Sequence, residues 1–169
     1  MDVRLSQTNS GGQDEISSVI ERYSDMVYRI AYMRTKTPHD ADDVFQNVFL
    51  SYMQSERVFE SEEHRKAWLI RVTVNCCQKL LGSSWFRKTV PLEEDTLICD
   101  IPEQHGLHEA VRKLPKKYGT VLYLFYYEQM KISEISSVLG VREKTVRMQL
   151  TRARRQLKDY LESEENADE

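Results

Sequence analysis

The sequence is poor in cysteine, proline and glycine, with three, four and six residues of 169. Cys76 and Cys77 are adjacent and Cys99 stands apart. An odd number so placed gives no disulfide framework, and the expectation is reduced thiols in a cytoplasmic chain. Long apolar runs are also missing. The longest strongly apolar, uncharged stretch, Tyr118 to Tyr127, has ten residues, about half of the roughly 20 that span a bilayer. No basic-then-apolar leader precedes a small-residue cleavage site, so neither secretion nor membrane insertion is expected.

Chemical motifs are missing as well. The chain carries no Gly-rich phosphate loop, no nucleophile elbow and no H-E-x-x-H. Its carboxylate pairs, Glu62-Glu63 and Glu93-Glu94, are sequence neighbours rather than an opposed dyad. Cys99, His105 and His108 have irregular spacing for metal ligands. No catalytic site, metal or cofactor is therefore expected, and the chain does not read as an enzyme.

A basic excess is absent only in the total. The chain has 24 Lys and Arg against 27 Asp and Glu, a net charge of −3. Divided along the sequence, residues 1–82 carry −2, 83–106 carry −3, 107–161 carry +7 and 162–169 carry −5. A +7 segment followed by an acidic tail reads as a polyanion-binding module with a solvated end.

What fills the sequence is helical periodicity, with no convincing alternation at period 2 and no internal repeat. Ile16, Val19, Ile20, Tyr23, Val27, Ile30 and Ala31 define one face of a first helix. Ala41, Val44, Phe45, Val48, Phe49 and Tyr52 define a second, opened by Pro38 and by Asp40, Asp42 and Asp43 at the positive end of its dipole. Residues 56–65 read as a polar loop. A third helix is expected from about Lys66 to Leu81, with Ala67, Ile70, Val74, Cys77 and Leu81 on one side. Residues 83–106 show no period and mix Ser, Pro and acids, a flexible acidic linker. Beyond it the pattern predicts helices near 107–113, from Pro115 to about Glu128, at 133–139 and at 142–161. The fold class is all-α, in two small helical lobes, 1–82 and 107–161, with an acidic tail at 162–169.

Ile132 to Leu150 is the most informative stretch. Ser133 is placed to cap a short helix whose apolar face is Ile135, Val138 and Leu139, and Gly140 permits a tight turn. The next helix would bury Val146, Leu150, Ala153 and Leu157. That leaves Arg142, Lys144, Thr145, Arg147, Gln149, Thr151, Arg152 and Arg155 outside. Two short helices, a Gly-centred turn and a basic outer face are what a helix-turn-helix needs to enter a major groove. A basic face on a helical hairpin is otherwise solvated, but residues 142–158 hold seven basic side chains and one acid. In the third helix Arg71, Asn75, Gln78 and Lys79 form a polar stripe. From pattern alone that stripe fits the exposed face of an ordinary amphipathic helix better than a DNA surface. Trp68 fits a core position, while Tyr28, Tyr32, Trp85 and Phe86 are candidates for stacking on unpaired bases.

Three motifs in order resemble those of the extracytoplasmic-function (group IV) branch of the bacterial sigma-70 family. Asp40-Ala-Asp-Asp-Val-Phe-Gln-Asn-Val-Phe-Leu resembles region 2.2, and Ala67-Trp-Leu-Ile-Arg-Val-Thr-Val-Asn resembles regions 2.3–2.4. Leu114-Pro-Lys-Lys-Tyr through Arg155 resembles region 4. The resemblance implies an RNA polymerase sigma factor, a specificity subunit that directs core polymerase to promoters and promotes their opening. It implies core RNA polymerase as partner, through its clamp coiled coil and its flap, with Asp43, Gln46, Asn47, Phe49 and Leu50 meeting the clamp coiled coil. Arg71, Asn75, Gln78 and Lys79 would meet the −10 element, with the loop at 56–65 holding an extruded base. Arg142, Glu143, Lys144, Thr145, Arg147, Met148, Thr151, Arg152 and Arg155 would meet the −35 element. The linker would enter the RNA channel, and an anti-sigma factor is an implied further partner. The chain departs from the family pattern at Val74 (usually Arg), Lys79 (often Asp), Ser136 (commonly Ala) and Arg142 (usually a Ser cap). Two rival readings are a stand-alone helix-turn-helix regulator and a helical adaptor that binds an acidic protein.

Overall fold

A computed structural model of the chain describes residues 10–82 and 110–165. The linker, with Trp85, Phe86, Cys99 and His105, lies outside the described residues, as do 1–9, 107–109 with His108, and 166–169 of the tail. Every regular element among the described residues is helical. They are α1 (Ser10–Thr35), α2 (Pro38–Gln54) and α3 (Glu62–Gly82), then α4 (Lys116–Leu122), α5 (Ile132–Leu139) and α6 (Glu143–Glu165). A helical turn at 110–113 precedes α4, and a π-helical turn, Tyr123–Tyr127, continues it.

The apolar stripes of α1, α2 and α3 close on one another. Val27, Ile30, Ala31, Ala41, Val48, Leu69 and Ile70 are fully buried, and each large aliphatic among them contributes about 1.5–3 kcal/mol of burial. Thr37 caps α2, its hydroxyl accepting from Asp40 N–H at 3.3 Å, and Pro38 follows at the first helical position.

Helix α3 starts four residues earlier than the periodicity suggests. The Ser61 hydroxyl accepts from His64 N–H at 3.1 Å and the Ser61 carbonyl from Arg65 N–H at 3.1 Å, an N-cap that places Glu62 and Glu63 in the first turn. The polar loop is therefore shorter than 56–65. A hydrogen-bonded cluster fixes this corner. Tyr23 donates its hydroxyl to Glu62 at 2.7 Å, Arg22 reaches the same carboxylate at 3.2 Å, and Arg65 bonds Glu62 and, at 3.0 Å, Glu15. Tyr23, Arg65 and Arg22 hold Glu62 below the usual carboxylate range, while burial and that same carboxylate push Tyr23 up to about 12.

The C-terminal helices build on Leu114, Tyr118, Leu122 and Ala153, with Val111, Leu157 and Tyr160 packed around them. A second set, Val121, Leu124, Ile135, Val138, Val146 and Leu150, belongs to the same continuous core as α1–α3. The two lobes thus share apolar packing, α1 lying against α4 and α3 against α5.

Candidate nucleic-acid interface

The helix-turn-helix begins at the cap residue Lys131, two residues before the expected Ser133 cap. Lys131 N–H donates to the Glu134 carboxylate at 2.7 Å, a single start-of-helix bond that leaves Ser133 inside α5. Gly140 ends α5 at φ 65°, the left-handed conformation that glycine adopts without a Cβ penalty. The turn is then stitched twice. Val141 N–H donates to the Ser136 carbonyl at 3.2 Å, and the Ser136 hydroxyl donates to the Val141 carbonyl at 2.6 Å. Ser136, where the family commonly has Ala, thus adds a bond across the turn. Arg142 stands at the cap of α6, its carbonyl accepting from Thr145 and Val146 N–H at 2.9 and 3.1 Å.

Val146, Leu150 and Ala153 of α6 are buried and Leu157 is half-buried. The opposite face holds Arg142, Glu143, Lys144, Arg147, Met148, Thr151, Arg152 and Arg155, all exposed, with Thr145 half-buried at its edge. Arg147 pairs with Glu143 at 3.1 Å, one helical turn back, and Thr151 bonds the Arg147 carbonyl at 3.0 Å. Five cations, Arg142, Lys144, Arg147, Arg152 and Arg155, therefore share one solvent-facing surface. Arg154 does not join them. It donates to the Tyr126 hydroxyl at 2.6 Å and lies 5.6 and 5.4 Å from the Phe125 and Tyr126 ring centres.

On α3, Arg71, Asn75, Gln78 and Lys79 are all exposed. Arg71 reaches across to the Ser137 carbonyl of α5 at 3.4 Å. Val74 is 5% exposed and packs in the core, so the position where the family usually has Arg offers no polar surface here. Of the stacking candidates, Tyr32 is buried and lies parallel to Tyr28 at 6.4 Å between ring centres. Trp68 packs edge-on to Tyr52 and Phe59 at 6.0 and 5.6 Å, a core role. In the loop before α3, Phe59 is held by Tyr52, Trp68 and the Arg65 guanidinium, whereas Val58 is 88% exposed at its tip.

On α2, Asp43, Gln46, Asn47 and Leu50 are exposed along one stripe. Phe49 is not part of it: at 4% exposure it packs 4.8 Å from Phe45 in the core. Six residues beyond Asp43, it falls on the opposite side of the helix. The residue that does extend the stripe is Met53, 46% exposed beside Leu50 at 47%. Its signal was in the sequence, since 43, 46, 47, 50 and 53 keep helical spacing. Of groups able to offer metal ligands, His39, Asp40 and Asp43 lie together at the exposed start of α2, with His39 Nδ1 3.7 Å from each carboxylate. Among the described residues no helix is long and apolar enough to cross a membrane.

Two family models match the chain: Sigma-70 region 2 over residues 19–87 and Sigma-70, region 4 over residues 104–157. Together they take up well over half of it. The ECF RNA polymerase sigma factor SigW of Bacillus subtilis (strain 168) is 24% identical over 178 residues, covering 94% of this chain and 95% of that protein. The RNA polymerase sigma factor SigV of the same organism is 27% identical over 144 residues, covering 82% and 86%. Among solved structures, the sigma factor RpoE in complex with the anti-sigma factor NepR from Bartonella quintana shares the fold. Its TM-score is 0.69 at 13% identity, over 88% of this chain and 97% of that one. The region 2 match covers α2 and α3, which a stand-alone helix-turn-helix regulator would not need. The chain belongs to the sigma-70 family of RNA polymerase sigma factors, in its extracytoplasmic-function branch.

Proposed function

We propose that this chain binds core RNA polymerase through the exposed α2 stripe and reads promoter DNA with two surfaces. The −35 duplex takes α6 in its major groove: Arg142 to Met148 lie nearest the base edges, and Thr151, Arg152 and Arg155 nearest the phosphates. The −10 strand takes the Asn75, Gln78 and Lys79 face of α3, beside the loop around Val58. A flipped base received there offsets unpairing that costs a few kcal/mol. The chain supplies specificity and no catalysis of its own, and acts in the cytoplasm. An anti-sigma factor covering these surfaces is a further partner; the sigma factor RpoE from Bartonella quintana is solved in complex with one.

The observation that carries this reading is the pairing, in one chain, of an exposed five-cation face on α6 with an exposed amide-and-cation face on α3. Asn75 is exposed and carries no packing load. Asn75→Ala is therefore expected to leave polymerase binding unchanged and to slow promoter opening about tenfold or more, read by permanganate reactivity of unpaired thymines. Equal opening rates would remove Asn75 from the −10 surface.

A further inference from the structure

Residues 142–158 hold one acid among seven basic side chains, and that acid, Glu143, stands in the first turn of α6. The −35 reading given above, on which this inference rests, brings this end of the helix to the base edges. A carboxylate is repelled by the phosphates on either side of the groove, so its presence there needs a cause. The Glu143 carboxylate accepts from Arg147 Nη2 at 3.1 Å, one turn on, and both side chains reach into solvent. An exposed pair of this kind adds little to stability. What it does add is a fixed arrangement of donors and an acceptor on the face that meets DNA.

The backbone carries this pair on a rigid base. Two Ser136–Val141 bonds close the turn before α6, and the Arg142 carbonyl starts the helix. Val146 and Leu150 anchor the same two turns from the buried face. A guanidinium has five N–H donors. Arg147 gives one Nη2 hydrogen to Glu143, which leaves Nη1 and the second Nη2 hydrogen to donate elsewhere as a fork. Glu143 keeps further acceptor positions on its carboxylate. The two side chains together thus offer donor, donor and acceptor in a row.

In the major groove a G·C pair presents guanine N7 and O6 as acceptors and cytosine N4–H2 as donor, in that order. O6 and N4, hydrogen-bonded to each other within the pair, lie about 2.9 Å apart. The Arg147 Nη2 and the Glu143 carboxylate stand at nearly the same spacing, 3.1 Å. Arg147 can therefore fork onto N7 and O6 while Glu143 accepts from N4. Every other pair sets like against like at two of the three points. An A·T pair puts N6–H2 against the fork and O4 against the carboxylate, and T·A and the reversed C·G pair also fail twice. We infer that Glu143 and Arg147 act as one unit that reads a single G·C pair of the −35 element, its strand orientation included. Glu143 is then a specificity-determining residue that works by rejecting the other three pairs.

The probe is a pool of duplexes randomised across the −35 element, bound by the full-length chain, alone and with core polymerase, and sequenced. Circular dichroism checks the helix content of each variant. Wild type should favour G·C over A·T at one position by about tenfold or more. Glu143→Ala should reduce that preference to about threefold or less, yet bind mixed-sequence duplex no more weakly than wild type, since a charge repelled by phosphate has gone. Arg147→Ala should lose the same preference and affinity with it. Lys144→Ala, which removes a neighbouring cation, should weaken all sequences alike and keep the preference. A G·C preference that survives Glu143→Ala, or that falls as far in Lys144→Ala, overturns the inference. A wild-type chain that selects a defined sequence with no G·C position sensitive to both Glu143 and Arg147 also overturns it, and leaves the −35 reading standing. A wild-type chain that selects no sequence in either form removes that reading and the inference together.

Discussion

Five exposed cations on α6 predict a particular salt response for −35 binding by the isolated chain. Each Lys or Arg that neutralises a phosphate releases counterions, and log K falls with log salt at about 0.9 per contact. If Arg142, Lys144, Arg147, Arg152 and Arg155 all contribute, the slope is about −4.5, and affinity falls ~500-fold between 50 and 200 mM salt. Arg155→Ala is expected to reduce the slope by about 0.9, and with it the loss over that range by roughly 3.5-fold. The neighbouring Arg154→Ala serves as control. Its guanidinium is committed to Tyr126 and Phe125, so the slope should stay near the wild-type value. Fluorescence anisotropy on a −35 duplex across a salt series measures both. Equal slope changes for the two variants, or a wild-type slope near zero, would refute the assignment of the basic face.

Leu50→Asp/Met53→Asp places charges where two half-exposed apolar side chains face outward on α2. Burying both on docking is worth about 1–2 kcal/mol each, so core polymerase affinity should fall at least tenfold in a pull-down titration; unchanged retention would move the docking face elsewhere. Lys36 gives a pH dependence. Burial, then Arg112, lowers it from 10.5 to about 8, so between those values the unfolded chain binds more protons than the folded one. Stability should therefore rise as pH climbs from about 8 to 10.5. Urea unfolding at pH 8 and 10 should show this rise in wild type and a smaller one in Lys36→Met, and identical rises would contradict it.

Much of the molecule was readable from local pattern. The helix-turn-helix followed from Gly140 and the buried Val146, Leu150 and Ala153 register, because both signals lie within a few residues of the features they specify. The α3 start was missed, although Ser61 with Glu62 and Glu63 behind it carries a cap signal. Phe49 shares a motif with the exposed α2 residues yet is buried, because a motif match orders residues along the chain, whereas helical rotation decides which way each points. The π-helical turn at Tyr123–Tyr127 leaves no distinct pattern in an aromatic-rich run. The contacts between the two lobes were not legible in local pattern. Arg34, Thr120, Lys36 and Leu114 meet across some 80 residues, and only tertiary packing brings them together.

Run-off transcription tests the central claim most directly. Core polymerase is given a library of promoter fragments with and without the full-length chain, and transcripts are mapped by their start sites. The account predicts that the chain co-purifies with core and switches on a defined set of templates sharing paired −35 and −10 sequences. Core that retains the chain but transcribes no new template, or core that fails to retain it, would contradict the account.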